Sequence, residues 1–140
     1  MRARVLVDTG PLVALLNRRD HHHAWVKEQL RKINSPLDTC EAVLSEACFL
    51  LQPIPGGPQA VLELVTKGLV TLSFSLQDEA KTVQRLLLRY ADVPMALADA
   101  CMVRLAEIHE PSLVFTLDSD FKIYRKHGRA VLPLLLPDDR

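Results

Sequence analysis

Short apolar stretches alternate with amphipathic helical patterns along this chain, and no other feature limits its possible folds as strongly. The first stretch runs from Arg4 to Asp8, and the clearest later one runs from Leu113 to Leu117. Apolar strands separated by helices are typical of right-handed β-α-β crossovers, which build a mostly parallel sheet with helices packed on it. At 140 residues the chain has the length of one domain, so we expect a single α/β domain over residues 1–140.

Proline and glycine predict where the elements begin and end. Pro11 suits the first turn of a helix, Gly68 suits a helix end, and the run from Pro53 to Pro58 predicts a loop. We expect helices over 11–16, 21–33, 40–51, 59–67, 78–90 and 95–109, and strands over 4–8, 36–39, 69–74, 113–117 and 131–136. Thr39 is the expected N-cap of the third helix, and Pro133 should restrict the last strand to an edge of the sheet.

Two acidic residues stand where predicted strands end. Asp8 closes the first strand, and Asp118 follows the strand from Leu113 to Leu117. In open parallel sheets, ligands bind outside the carboxyl ends of the strands. We therefore expect the side chains of Asp8 and Asp118 to meet at one edge of the sheet.

Two further acids, Glu46 and Asp99, interrupt helical stretches that are otherwise almost wholly apolar. A carboxylate is costly to bury in such surroundings unless it is paired or binds a metal. Four carboxylates gathered without a cation repel one another, whereas Mg²⁺ or Mn²⁺ would neutralise them and could also hold substrate phosphates. The chemistry that this set predicts is metal-assisted hydrolysis of a phosphodiester.

Each of these acids also has a simpler interpretation. Asp8 could cap the first helix, and Asp99 could be a first-turn residue that interacts with the helix dipole. Glu46 could be an exposed position of an amphipathic helix, and Asp118 and Asp120 could be turn residues. From the residues alone, both interpretations of each acid remain open.

The chain resembles the PIN-domain family, of the VapC-like ribonuclease toxin type, over nearly its whole length. The resemblance rests on four ordered segments, Val5 to Leu12, Leu44 to Glu46, Tyr90 to Ala100 and Phe115 to Phe121. It implies a three-layer α/β/α fold and an Mg²⁺- or Mn²⁺-dependent endoribonuclease that hydrolyses single-stranded or structured RNA. Small free-standing members of this family are often toxins that an antitoxin protein restrains by filling the acidic groove, and they commonly form homodimers.

The resemblance also implies roles for individual acids. The catalytic set would be Asp8, Glu46, Asp99 and Asp118. Of these, Asp8, Asp99 and Asp118 would bind the metal, and Glu46 would bind or orient metal-bound water. Asp120 would be an accessory acid beside the metal. All four central acids are present, as expected of an active member of the family.

Other positions carry weaker implications of the same resemblance. Thr9 and Thr116 would be polar residues that support the metal ligands, and Phe121 would pack inward. The chain departs from the small toxins at the Pro/Gly-rich segment Pro53 to Pro58, where they often have a helical surface for a dimer or an antitoxin. This departure bears on the toxin role more than on the fold.

Composition limits the partners and the compartment. The 17 basic and 17 acidic residues cancel, so affinity for RNA must come from local patches. The three cysteines, Cys40, Cys48 and Cys101, have neither a C-x-x-C pair nor zinc-ligand spacing, so we expect reduced and buried thiols in a cytoplasmic protein. No segment approaches the about 20 apolar residues of a membrane helix, so we expect no membrane association.

Basic residues give a further hypothesis with two versions. Six of them could form a phosphate track towards the metal or simply a solvated face, namely Arg85, Arg89, Arg104, Lys122, Arg125 and Lys126. His21, His22 and His23 are consecutive, so they point in different directions and cannot all bind one ion. We expect a surface role for this histidine run.

Two other function classes compete with the nuclease. A haloacid-dehalogenase-type phosphatase would use Asp8 as a nucleophile, but that class has a D-x-D pair after the first strand, and here residue 10 is glycine. The second is a catalytically silent PIN-fold module that binds RNA or protein. The intact set of four acids disfavours it.

Overall fold

The computed structural model describes residues 3–138, and its first two elements already position one of the predicted acids. Strand β1 (Arg4–Val7) is followed by helix α1 (Thr9–Leu16), and Asp8 stands between them in an extended conformation. Val5, Leu6 and Val7 are all buried. The first strand is therefore a central one, as its continuous apolar run predicted.

Five strands form one sheet in the order β3-β2-β1-β4-β7, and every neighbouring pair is parallel. The other four strands are β2 (Leu37–Thr39), β3 (Val70–Leu72), β4 (Ser112–Phe115) and β7 (Leu134–Leu135). The chain winds outward from β1 to β3 on one side and continues from β4 on the other. The carboxyl ends of β1 and β4 consequently flank the topological switch point, where ligands bind in such sheets.

Helices cover both faces of this sheet and complete a three-layer α/β/α fold, as predicted. After α1 they are α2 (His23–Lys32), α3 (Glu41–Leu50), α4 (Gly57–Thr66), α5 (Leu76–Arg89) and α6 (Leu97–Ile108). α1 packs against α2 and α3, whereas α6 packs against α5, β1 and β4. Over residues 3–138, none of the helices has the length and apolarity needed to cross a membrane.

Thr39 does not cap the third helix, and that prediction was wrong. The residue lies in β2 and is fully buried, and its hydroxyl donates a 2.7 Å hydrogen bond to the carbonyl oxygen of Val7 in β1. Cys40 is the N-cap of α3 instead. Thr39 lies one position before the N-cap, and its side chain is directed towards the neighbouring strand rather than the first amides of the helix.

The C-terminal segment contains two short strands where the sequence predicted one. β5 (Arg125–Lys126) and β6 (Ala130–Val131) form an antiparallel hairpin, and β7 then joins the sheet at its edge beside β4. Pro133 separates β6 from β7 and has no amide hydrogen to continue either ladder. Its carbonyl oxygen accepts a 2.9 Å hydrogen bond from the amide of Val114. The prediction of an edge position was correct.

The Pro/Gly-rich loop ends two residues earlier than predicted, because α4 begins at Gly57 with Pro58 in its first turn. A Cβ at Gly57 would lie 2.3 Å from the carbonyl oxygen of Leu51. Only glycine fits there without moving the backbone of the preceding turn. The loop is therefore a closely packed turn between α3 and α4.

Buried side chains agree with most of the predicted core. Cys40 and Cys101 are buried and Cys48 is half-buried, and all three are free thiols. Phe121 is fully buried and packs edge-on against Tyr124, with ring centroids 5.3 Å apart. Phe121 therefore packs inward, as the resemblance implied.

Candidate active site

The four central predicted acids line one open cleft beside the carboxyl ends of β1 and β4. The cleft has a volume of about 450 Å³, and we call it the acidic cleft. Its lining residues are Asp8, Thr9, Gly10, Val13, Asp20, His22, Glu46, Leu50, Asp99, Leu117 and Asp118. Five of these side chains are carboxylates, and none of the lining residues within the described part of the chain is lysine or arginine. The fold thus brings Asp8, Glu46, Asp99 and Asp118 to one place.

Asp8 is the most buried acid of the cleft, with 5% of its surface exposed. Burial raises the pKa of its carboxyl to about 6, and the charges of Asp99 and Asp118 contribute further in the same direction. Hydrogen bonds from the Thr116 hydroxyl and the Thr9 amide act against this shift. A nearby cation would stabilise the charged form of this buried carboxylate, because its attraction offsets both the desolvation penalty and the repulsion from the other acids.

Thr116 ties the ends of β1 and β4 together. Its hydroxyl donates a 2.8 Å hydrogen bond to Asp8 Oδ2 and accepts a 3.0 Å hydrogen bond from the amide of Asp118. Asp118 Oδ1 in turn accepts a 2.9 Å hydrogen bond from the amide of Asp120, and Asp118 is thereby the N-cap of a single turn of 3₁₀ helix over Ser119–Lys122. Asp118 is therefore a turn residue through one carboxylate oxygen, as the simpler interpretation predicted. Its side chain also lines the cleft.

Asp99 reaches the cleft from the first turn of α6. Its Oδ2 accepts a 2.9 Å hydrogen bond from the amide of Ala96, so the residue also caps the helix. Burial raises the pKa of the Asp99 carboxyl, and the charges of Asp118, Glu46 and Asp120 raise it further. Asp99 consequently lies close to these three acids.

Glu46 and Asp120 occupy the margins of the acid cluster. Glu46 is exposed on α3 and lines the cleft, so its exposed-position interpretation and its predicted place at the site are both compatible with the structure. Asp120 is half-buried but does not line the cleft. Its charge nevertheless acts on Asp99.

The histidine run is divided among three environments, so a common surface role is wrong. The His23 ring forms a 2.7 Å hydrogen bond with the carbonyl oxygen of Ala14, which fastens α2 to α1. His22 lines the acidic cleft, whereas His21 is exposed and packs edge-on against His22 at a centroid distance of 4.7 Å. His22 is therefore the member of the run that can reach a molecule in the cleft.

Sequence reasoning also missed Asp20, which lies in the turn between α1 and α2. Its carboxylate accepts a 2.9 Å hydrogen bond from the amide of His22 and holds the start of α2 beside the cleft. The available signal was an acid directly before a histidine run, at a predicted helix start. That signal did not indicate which way the turn would face.

Two buried hydroxyls have no hydrogen-bond partner within residues 3–138, namely Thr9 Oγ1 and Tyr124 Oη. Thr9 belongs to the cleft lining, so its hydroxyl could bind a ligand or an ordered water. Burial raises the pKa of the Tyr124 phenol, and the charges of Asp99, Asp120, Asp118 and Asp8 raise it further. The field of the acid cluster therefore extends to the core residue behind it.

The donor set fits a hard divalent cation in its chemistry. Several carboxylates and a free hydroxyl offer only oxygen ligands, as Mg²⁺ and Mn²⁺ prefer. Over residues 3–138, no three His, Cys, Asp or Glu side chains converge closely enough to form a complete metal site. Carboxylates gathered without a cation repel one another, so this donor set is favoured further when a cation is bound.

Comparisons with known proteins agree with this architecture. The PIN domain family model matches residues 5–127. The ribonuclease VapC26 of Mycobacterium tuberculosis is 26% identical over 132 residues, which cover 93% of each chain. The crystal structure of Mycobacterium tuberculosis VapC20, a sarcin-ricin loop cleaving toxin, superposes with a TM-score of 0.69 at 21% identity and covers 85% of this chain and 93% of that one. The last likeness shows a shared fold.

Proposed function

This chain belongs to the PIN-domain family, and on that premise we propose that it is a divalent-metal-dependent endoribonuclease whose reaction takes place in the acidic cleft. The observation that carries the proposal is the gathering of five carboxylates in one cleft at the switch point of the sheet. The similarity to a ribonuclease along 93% of the chain supports RNA as the substrate. The proposal treats residues 1–140 as one nuclease domain that acts in the cytoplasm.

Each acid has a distinct role in this proposal. Asp8, Asp99 and Asp118 hold Mg²⁺ or Mn²⁺, with Asp120 as an accessory ligand, and Glu46 orients the attacking water. When bound, the cation supplies Lewis-acid stabilisation of the phosphoryl group and of the water. The hydrogen bond from Thr116 fixes the carboxylate of Asp8 and keeps it in line with Asp118.

His22 contacts the RNA in the proposed complex. It is the histidine among the described lining residues, and it is half-buried beside Asp20. A phosphate that enters a cleft full of carboxylates gains from any hydrogen-bond donor beside the metal. The imidazole supplies such a donor, so His22 binds and orients the phosphate next to the reacting one.

The deciding experiment is cleavage of a mixed single-stranded RNA pool by the purified chain with Mg²⁺, with Mn²⁺ and with a chelator. We expect cleavage in the two metal lanes only, and its loss in Asp8→Asn and Asp99→Asn variants that bind no metal but fold normally. An active Asp99→Asn protein would exclude the proposed metal site. A well-folded wild-type chain that binds RNA and never cleaves it would favour a silent RNA-binding module.

A toxin role extends the same proposal. The relatives named VapC support it, and VapC20 is itself described as a toxin. An antitoxin would then restrain the enzyme by filling the acidic cleft with a basic side chain. Expression of the wild-type chain should stop bacterial growth, and the Asp99→Asn chain should not. Normal growth with active wild-type enzyme would favour a housekeeping role in RNA processing.

A homodimer is also part of the proposal. Phe49 at the end of α3 is 67% exposed, Leu62 on α4 is 48% exposed, and these two helices pack against each other. Clusters of large exposed apolar side chains mark interaction surfaces. We assign this face to a second copy of the chain. Sedimentation of the wild-type chain and of Phe49→Glu should show a dimer and a monomer, respectively.

A further inference from the structure

A second depression lies outside the acidic cleft, between α5, α6 and the β5–β6 hairpin. Its volume is about 520 Å³. We call it the arginine groove, and its polar lining residues are Thr82, Arg85 and Arg89 on α5, Arg104 and Glu107 on α6, and His127 in the hairpin turn. None of the described residues of the acidic cleft belongs to it.

One wall of the groove is an ion-pair network in which two glutamates share one arginine. Arg104 Nε lies 2.6 Å from Glu79 Oε1, and Arg104 Nη1 lies 3.1 Å from Glu107 Oε1. The second oxygen of Glu107 accepts a 2.7 Å hydrogen bond from the amide of His127. Both acids are therefore engaged, and they fasten the hairpin turn and α5 to α6.

Of the other three basic residues in the predicted set, Lys122 is exposed without a side-chain partner among residues 3–138, whereas the remaining two have partners. Lys126 pairs with Glu110 at 3.0 Å. The guanidinium of Arg125 donates to the backbone carbonyls of Lys122, Ile123 and Tyr124. Like Arg104, these two side chains hold neighbouring segments together, so they are not available to bind phosphate.

Arg85 and Arg89 remain exposed and have no hydrogen bond or ion pair to any residue from 3 to 138. Arg89 extends over the hairpin turn, where a Cβ at Gly128 would lie 2.4 Å from its Nη1. Gly128 has a φ of +75° and His127 a φ of +52°. The left-handed turn and the missing side chain together leave the space that the guanidinium fills.

We propose that the arginine groove binds backbone phosphates of the RNA whose reacting phosphate lies in the acidic cleft. The inference rests on the proposed nuclease function. Three arginines outnumber the two glutamates of the network, and the two guanidiniums without a partner among residues 3–138 favour an anion over a cation or an apolar ligand. Planar guanidinium groups match phosphate oxygens in a bidentate geometry.

The groove and the cleft are joined by one helix and one aromatic pair. α6 carries Asp99 at its beginning and Arg104 five residues later, which is about 7–8 Å along the helix axis. Tyr90, next to Arg89, packs against Tyr124 with ring centroids 5.1 Å apart, and its hydroxyl accepts a 3.0 Å hydrogen bond from the amide of Arg125. A strand of RNA that leaves the cleft past the start of α6 therefore meets Arg89 and then Arg85.

The test measures binding of fluorescein-labelled polyuridine by the full chain in Mg²⁺, in an Asp99→Asn background that prevents cleavage. Salt dependence counts phosphate contacts, at about 0.7 of a unit in the log–log slope per contact for single strands. Adding R85Q and R89Q should lower the slope of log affinity against log salt concentration by about 1.4. At 0.1 M salt this corresponds to about 25-fold weaker binding of polyuridine than in the parent. The pair R85K and R89K, which retains both charges, should restore the slope.

The matched control replaces Lys27 and Lys32 of α2 by glutamine, which removes the same charge from a helix that contributes no residue to the groove. This variant should bind polyuridine within about twofold of its parent, and thermal melting should show that each variant folds. Unchanged affinity and slope in R85Q with R89Q would overturn the proposal. So would unchanged polyuridine binding together with weakened binding of polyglutamate, since the groove would then serve an acidic protein segment.

These measurements separate the groove from the proposed function. If the wild-type chain never cleaves RNA while the R85Q, R89Q double variant loses affinity for polyuridine, phosphate binding by the arginine groove is correct and the nuclease proposal is wrong. The opposite result is a wild-type chain that cleaves RNA and an R85Q, R89Q double variant that binds and cleaves RNA equally well. The nuclease proposal would then be correct and the proposed phosphate binding by the arginine groove would be wrong.

Discussion

The hydroxyl of Thr116 lies 2.8 Å from Asp8 Oδ2, and this contact joins residues 108 positions apart in the sequence. The same hydroxyl accepts the amide hydrogen of Asp118. One threonine thus sets the relative position of two proposed metal ligands that leave two different strands. Its removal should therefore affect metal binding more than folding.

We predict that Thr116→Val lowers metal affinity by about 10- to 100-fold, because groups that orient metal ligands typically contribute that much. Valine has nearly the same shape but neither donates to Asp8 nor accepts from Asp118. Calorimetric titration with Mn²⁺ measures the loss. Thr116→Ser retains the hydroxyl and should bind within a few-fold of wild type. Equal affinity in the valine and serine variants would contradict the positioning role.

Asp8→Asn should stabilise the metal-free protein at neutral pH while abolishing its metal response. The carboxylate is buried and its pKa is raised to about 6 from 3.8. A shift of this size corresponds to about 2–3 kcal/mol of unfavourable free energy for the charged form. Urea unfolding in chelator at pH 7.5 should show a gain of that order. Asp92→Asn, at an exposed position, should change stability by less than about 0.5 kcal/mol.

The stabilising effect of Asp8→Asn should disappear in acid. The pKa of Asp8 is higher in the folded state, so its destabilising contribution is complete above pH 6 and declines as the pH falls from about 6 towards 3.8. In chelator, the difference in unfolding free energy between the asparagine variant and wild type should be largest at pH 7 and small at pH 4. A difference that does not change with pH would mean that Asp8 is not the group responsible. Metal affinity should also decline as the pH falls below about 6, because the metal-free Asp8 carboxyl then takes up a proton.

The three consecutive histidines should respond differently to alanine. His22→Ala should lower the kcat/KM for RNA by about tenfold with little change in metal affinity, as expected for one lost hydrogen bond to a charged group. His21→Ala is the matched control and should retain wild-type activity. His23→Ala should lower the melting temperature instead, since it removes the hydrogen bond to Ala14. Equal activity of the His21 and His22 variants would exclude a contact between His22 and the RNA.

Gly57→Ala tests the close approach between α4 and the preceding turn. A Cβ there would overlap the carbonyl oxygen of Leu51, a backbone atom that cannot move alone. We expect a loss of more than about 2 kcal/mol in unfolding free energy, in the range of other overpacked sites. Gly68→Ala is the control, because its φ of +76° adds strain but its Cβ would meet no atom. It should cost only about 1–2 kcal/mol.

The sequence was sufficient for the parts of the fold that follow from periodicity. The continuous apolar run of Val5, Leu6 and Val7 indicated a strand buried on both faces, and Asp8 directly after it indicated the carboxyl edge. Asp99 was identified because a carboxylate in an otherwise apolar helix is costly to bury unless it is paired or binds a metal. These inferences need only local patterns and the general geometry of parallel sheets.

Other features depend on contacts between distant segments and could not be predicted in this way. The side chain of Thr39 is directed towards the Val7 carbonyl and not towards the start of α3, and only the packing of β2 against β1 determines this direction. The strands β5 and β6 have two residues each, too few for any periodicity. The direction of the turn that brings His22 to the cleft depends on how α2 packs on α1. Similarly, the six basic residues look equivalent in the sequence. Only the folded structure shows that Arg104 is paired with two glutamates and that Arg89 is not.

The position of β1 between β2 and β4 also sets the time at which the enzyme can exist during translation. Asp8 is synthesised about 110 residues before Thr116 and Asp118, which come just after the strand that pairs with β1. A nascent or prematurely terminated chain that lacks these residues has no complete acid set. A nuclease built in this way acquires its complete acid set only after Asp118 has been synthesised and β4 has paired with β1.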